Sequence, residues 1–107
     1  MIEINIASEF GTETGARVYA DGPKSGEEFF DVLLRPRYEQ AKAAGVQLKV
    51  ILDGTEGLAS SFLNESFGRL GKAFGAEEVK GRLVLVSNEI PKYITKIYEA
   101  IDESDSR

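Results

Sequence analysis

Neither cysteine nor histidine occurs among the 107 residues. Disulfides, thiol nucleophiles and imidazole bases are therefore excluded, and with them the Ser-His-Asp and Cys-His catalytic designs. Zinc and copper lose nearly all their usual ligands, which leaves only oxygen-ligand cations such as magnesium. Positive charge is also scarce, with 13 basic against 18 acidic side chains and a net charge of −5. The Lys and Arg residues are scattered, so no basic patch offsets the repulsion of nucleic-acid phosphates, and no nucleic-acid partner is expected. No apolar run approaches the roughly 20 residues that span a bilayer. The N-terminal stretch MIEINIASEF has neither a basic region nor a long apolar one, so the expectation is a cytoplasmic protein with no membrane partner. Repeats and interdomain linkers are missing too. A chain of this length with an apolar share of 42% is expected to form one domain, residues 1–102, followed by a polar tail at 103–107.

What is present is organised around Val46 to Gly75. Val46, Leu48, Val50, Ile51 and Leu52 form an apolar, β-branched strand that runs into Asp53-Gly54. A loop from Gly54 to Ala59 follows, and then a helix from about Ser61 to Phe74, closed by Gly75. Leu63, Phe67, Leu70 and Phe74 form its apolar stripe. Gly68 and Gly71 each cost an isolated helix about 1 kcal/mol relative to Ala, which predicts close approach of another element on that face.

Upstream, Ile2, Ile4 and Ile6 alternate with polar residues, predicting a half-buried strand from Ile2 to Ala7. Ala16 to Ala20 is extended enough for a second strand, in a hairpin with the first. Ser25 and Glu28 are spaced as a capping box, and a helix from there to Gly45 carries Phe29, Phe30, Leu33, Leu34, Tyr38 and Ala41 at helical spacing. Pro36 predicts a kink or two abutting helices near Leu34 to Arg37. Downstream, Glu77 to Gly81 reads as a polar connector and Leu83 to Val86 as a buried strand. Pro91 begins a last helix with the stripe Ile90, Ile94, Ile97, Tyr98 and Ile101. The expected fold is α/β, in the order β-β-α-β-α-β-α, with a mixed sheet of about four strands and helices packed on it. Sites in such sheets lie beyond the carboxyl ends of the strands, where Asp53 to Ser61 falls.

Three motifs are weak. Gly22-Pro-Lys-Ser25 lacks the Gly that a phosphate loop places before its Lys, so Ser25 reads as a helix cap. Val50 to Thr55 resembles the D-x-D-G-T motif of haloacid dehalogenase-type phosphatases, but Ile51 stands where the nucleophilic Asp is required. Asp53 is placed like the acceptor aspartate of a receiver domain, yet Ile6-Ala-Ser8 offers no acidic pair for magnesium. Asp53 is thus expected to accept loop N–H groups. Of Ser60 and Ser61, one is expected to cap the helix and the other is a candidate for phosphorylation at a helix N-terminus.

Strand, ILDGTEG loop and the helix start L-A-S-S-F-L together resemble the STAS domains of bacterial anti-sigma factor antagonists, whose signature at this point is of D-S-S-G type. The sequence is more similar to a STAS-like family of unknown function, through Ser61-Phe62-Leu63, Glu65, Phe67-Gly68 and Leu70, with Arg17, Ser25-Gly26-Glu27, Phe29 and Phe30 upstream. The resemblance implies a non-enzymatic interaction module without a cofactor, whose partner is a serine kinase with a histidine-kinase-like ATPase fold. That kinase phosphorylates the first Ser of the signature, which aligns with Ser60. Here the signature's Asp is Ala59 and its Gly is Phe62.

Two functional readings follow. In the first, Asp53, Gly54, Thr55, Glu56, Gly57, Leu58 and Phe62, with Asn64, Glu65 and Arg69 on the second helix, dock a partner, and Ser60 or Ser61 is the phosphorylation site. In the second, Asp53, Glu56, Glu65 and Arg17 surround one crevice and bind a small ligand or nucleotide, or act as an enzyme through two carboxylates of split pKa.

Overall fold

The computed structural model describes residues 1–105. Three strands, β1 (Ile2–Asn5), β2 (Leu48–Ile51) and β3 (Leu83–Val86), form one sheet in the order β1-β2-β3, and both pairings are parallel. Ile4, Val50 and Leu85 share one row across the sheet. The helices are α1 (Ile6–Glu9), α2 (Gly26–Phe29), α3 (Arg35–Ala44), α4 (Ser60–Phe74), α5 (Ala76–Arg82) and α6 (Lys92–Asp105). Among the described residues three strands therefore replace the expected four, the sheet is parallel and not mixed, and no hairpin forms near the N-terminus.

The backbone of Ala16–Ala20 is engaged elsewhere. The Ala16 and Arg17 carbonyls accept the N–H groups of Gly26 and Glu27, both at 3.0 Å, while Ser25 Oγ accepts from Glu28 N–H at 3.0 Å. The three leading N–H groups of α2 are satisfied by this segment and the serine cap, so none of them remains for a phosphate. Tyr19–Asp21 then turns as a short 3₁₀ helix. Glu28 accepts from Lys24 N–H at 2.9 Å and not from Ser25, so the capping box is shifted by one residue at its acidic end.

The first strand stops at Asn5 because that residue caps α1. Its side-chain oxygen accepts from Ser8 N–H at 3.2 Å, and Glu9 accepts from Asn5 N–H at 2.9 Å, a reciprocal pair in which Asn replaces the usual Ser. Between α2 and α3 the chain stays helical through a π-turn stretch, Phe30–Leu34. Arg35 N–H bonds to Phe30 O, five residues back, just before Pro36, which has no N–H to give. The break expected near Leu34 to Arg37 takes this form. Ala76–Arg82 is helical where a polar connector was expected, because Ala76, Val79 and Leu83 all reach the core. Acids in its first turn and bases in its last suit the helix dipole.

The core lies between one face of the sheet and the helices. Ile4, Leu48, Val50 and Leu83 from the strands meet Phe29, Leu34, Tyr38, Phe62, Phe67, Leu70 and Ile97. Phe10, Phe29 and Phe62 stack with ring centroids 5.3–6.0 Å apart. On α4 the glycines explain themselves: a Cβ at Gly71 would lie 2.8 Å from Ile101 O, so α6 packs backbone against α4. In α6 the buried residues are Ile97, Ala100 and Ile101, whereas Ile90 precedes the helix and is 40% exposed. The segment 103–107, set apart above as a tail, is helical as far as Asp105; Ser106 and Arg107 lie outside the described residues.

Candidate partner-binding site

Beyond the carboxyl end of β2 the loop is fixed by side chains from the neighbouring strand's exit. Asp53 accepts from Asn88 N–H at 2.8 Å, from Glu89 N–H at 2.9 Å and from the Asn88 side-chain amide at 3.2 Å. Glu89 and Asn88 N–H groups favour the carboxylate and hold Asp53 below its ordinary range. Gly54 N–H in turn donates to Glu89 at 2.7 Å, and Thr55 Oγ1 donates to Leu52 O at 3.3 Å. Asp53 is thus the loop-fixing acceptor that its position suggested.

The rest of the loop is held by the segment after α1. Glu56 N–H donates to Thr12 O at 2.8 Å, Thr14 Oγ1 donates to Gly57 O at 3.1 Å, and Glu13 bridges to Gly57. Glu56 sits beside Glu13, and a shared hydrogen bond together with like-charge repulsion raises its pKa. Leu58 is buried, with its N–H donating to the Tyr93 hydroxyl at 2.9 Å.

At the start of α4 the capping residue is Ala59, which has no side-chain acceptor, so neither serine is the cap. Ser60 and Ser61 are the first two helical residues, and Leu63 N–H bonds to Ala59 O at 3.1 Å. Ser60 is exposed and Ser61 partly buried. Lys96 Nζ on α6 donates to Ser60 Oγ at 3.0 Å. Nothing local in the sequence signals that contact, since the two residues are 36 positions apart.

The site residues divide into two groups. Phe62 and Leu58 are interior and support the site from beneath, so they offer no surface to a partner. Asn64, Glu65 and Arg69 line a cleft of about 470 Å3 between α4 and α6, together with Arg17, Lys72 and Ser104. Glu65 binds the Arg69 guanidinium one turn on and lies 3.9 Å from Arg17, while Arg69 also reaches Glu27 at 3.4 Å. A shallower hollow of about 220 Å3 takes in Asn64 as well and extends to Ser60 and Lys96. Ser60, Asn64, Glu65 and Arg69 therefore share one continuous face. Arg17 and Glu65 also meet there, but Asp53 is engaged with Asn88 and Glu89, and Glu56 with Glu13. The four charged residues of the ligand-binding reading do not form one constellation. Among the described residues no three acidic side chains gather as a cation site requires, and no helix is long and apolar enough to cross a membrane.

The model of one protein family, described as a STAS-like domain of unknown function (DUF4325), matches residues 25–92, which run from the α2 cap to the start of α6. No curated protein and no solved structure matches the chain.

Proposed function

The chain belongs to the family of STAS-like domains of unknown function, and from that premise we propose that it is a non-enzymatic regulatory module that docks a protein partner. The docking face is the exposed start of α4 with Asn64, Glu65 and Arg69 beside it, and the partner is a serine kinase of histidine-kinase-like ATPase fold acting in the cytoplasm. One observation carries the reading: Ser60 stands exposed at the N-terminus of a 15-residue helix, on the same face as the charged cleft. Transfer of the γ-phosphoryl of ATP to Ser60 Oγ, with ADP leaving and the hydroxyl proton released, adds a charge of about −2 at neutral pH. The helix N-terminus and Lys96 both favour that charge locally. A partner that had recognised the unmodified face would meet the same charge as repulsion and as a group it must desolvate.

The test is a titration of the unmodified protein, Ser60→Asp and Arg69→Glu against such an ATPase. At least a tenfold loss of affinity in each variant, with unchanged circular dichroism, is expected. Unchanged affinity in both would contradict the proposed face.

A further inference from the structure

Three parallel strands in the order β1-β2-β3 have a geometric consequence. Crossovers between parallel strands are right-handed, so a sheet built steadily in one direction receives all its crossover helices on the same face. The core agrees, since side chains from α2, α3, α4 and α5 all join the cluster that contains Ile4, Leu48, Val50 and Leu83. The alternate residues point the other way. They are Glu3 and Asn5 on β1, Lys49 and Ile51 on β2, and Val84 and Val86 on β3, and none of the six is buried. Ile51, Val84 and Val86 stand apart from the core cluster. Parallel sheets are otherwise covered on both faces, and this one carries an apolar triad on its bare side.

The pairing register sets the pattern of that face. Glu3, Lys49 and Val84 form one row, and Asn5, Ile51 and Val86 the next. The apolar triad thus lies over β2 and β3, with a polar rim on β1. The Lys49 ammonium has no partner among the described residues. Three strands about 4.8 Å apart and about 3.3 Å per residue give a face of roughly 200 Å2. A stable dimer needs about 800 Å2 from each partner, so this face alone is too small to hold a second copy of the chain. It matches the footprint of a single helix about 10 Å across.

We propose that the bare face of the sheet receives one amphipathic helix of a partner protein, its apolar stripe over Ile51, Val84 and Val86 and an acidic side chain over Lys49. A basic residue on the same helix faces Glu3 at the rim. This surface lies on the opposite side of the sheet from α4 and does not depend on Ser60.

The test places the photo-crosslinker benzoylphenylalanine at position 84 of the full chain, in its own host, and maps the cross-linked peptide by mass spectrometry. The expected result is one adduct whose cross-linked segment is an amphipathic helix carrying an acidic residue. Lys49→Glu lowers its yield at least tenfold, and exchanging the mapped acid for Lys restores it. Glu77→Gln, exposed on α5 at the covered side of the sheet, leaves the yield unchanged. Lys49→Gln repeats the comparison without placing a second acid beside Glu3, and still lowers the yield. An adduct of twice the chain's mass would assign the face to a second copy and overturn the proposal. So would the lack of any adduct, a cross-link to a non-helical segment, or a yield indifferent to both Lys49 variants.

Discussion

At the scale of single residues, Asp53 shows how position fixes a role. A carboxylate just after a central parallel strand stands next to the exit of the adjacent strand, and here it meets two backbone N–H groups and an amide. These bonds hold its pKa below the ordinary 3.8, so the folded state favours the ionised form. The resulting stability is present above that ordinary value and is lost as pH falls through the lowered one. Asp53→Asn is accordingly expected to melt at a lower temperature than the parent at pH 7, with the difference shrinking below about pH 4. A difference that stays constant down to pH 2 would mean that the charge has no part in fixing the loop. The role of Asp53 was legible because turn chemistry is local. The cap of α4 was not: two adjacent serines invite the assignment, yet the extended residue before the helix is Ala59, with ψ of 148°. Leu58, just before the cap, is buried and donates its N–H to the Tyr93 hydroxyl, a contact 35 positions away that no local signal encodes.

At the scale of elements, periodicity identified the first strand and the long helices because each buries a single stripe, whereas Leu83–Val86 was legible as an apolar run and was expected to be buried throughout, yet only Leu83 is. It failed where the backbone works for another element. Ala16–Ala20 has the composition of a strand, but its carbonyls complete the N-terminus of α2, a long-range use that alternation does not encode. Residues 77–81 look polar because α5 is short and only one side of it is buried. The glycines of α4 were informative in sequence, since two helix-weakening residues three apart require a reason, and α6 supplies it, through the Ser104 side chain at Gly68 and through the Ile101 backbone at Gly71. Gly71→Val places a Cβ within 2.8 Å of Ile101 O. The expected cost is about 2 kcal/mol or more, read from urea denaturation, because overpacking at a backbone contact cannot be relieved by a rotamer change. Gly81→Ala on α5 meets nothing within 4 Å and is expected to be stabilising by about 0.5 kcal/mol. Equal effects of the two substitutions would contradict the close α4–α6 packing.

At the scale of the whole molecule, the chain separates two surfaces. Every helix that crosses between strands packs on one face of the sheet, and the α4–α6 cleft with Ser60 lies on that side, away from the bare strands. Alternation of strands and helices made the α/β class and the crossover connections legible, whereas the expected mixed sheet of about four strands rested on one glycine-rich segment that could pair or cap, and the sheet is parallel with three strands. Asn64, Glu65 and Arg69 of the proposed docking face were named in sequence from the helix period and Arg17 was placed beside Glu65, whereas Lys96 joined them only in three dimensions. The central claim is that this module is switched at Ser60. Its most direct test is intact mass with site mapping on protein purified from its own host in several growth states. An addition of about 80 Da at Ser60 is the expected result. Protein unmodified in every state, or modified only at Ser61, would contradict the claim.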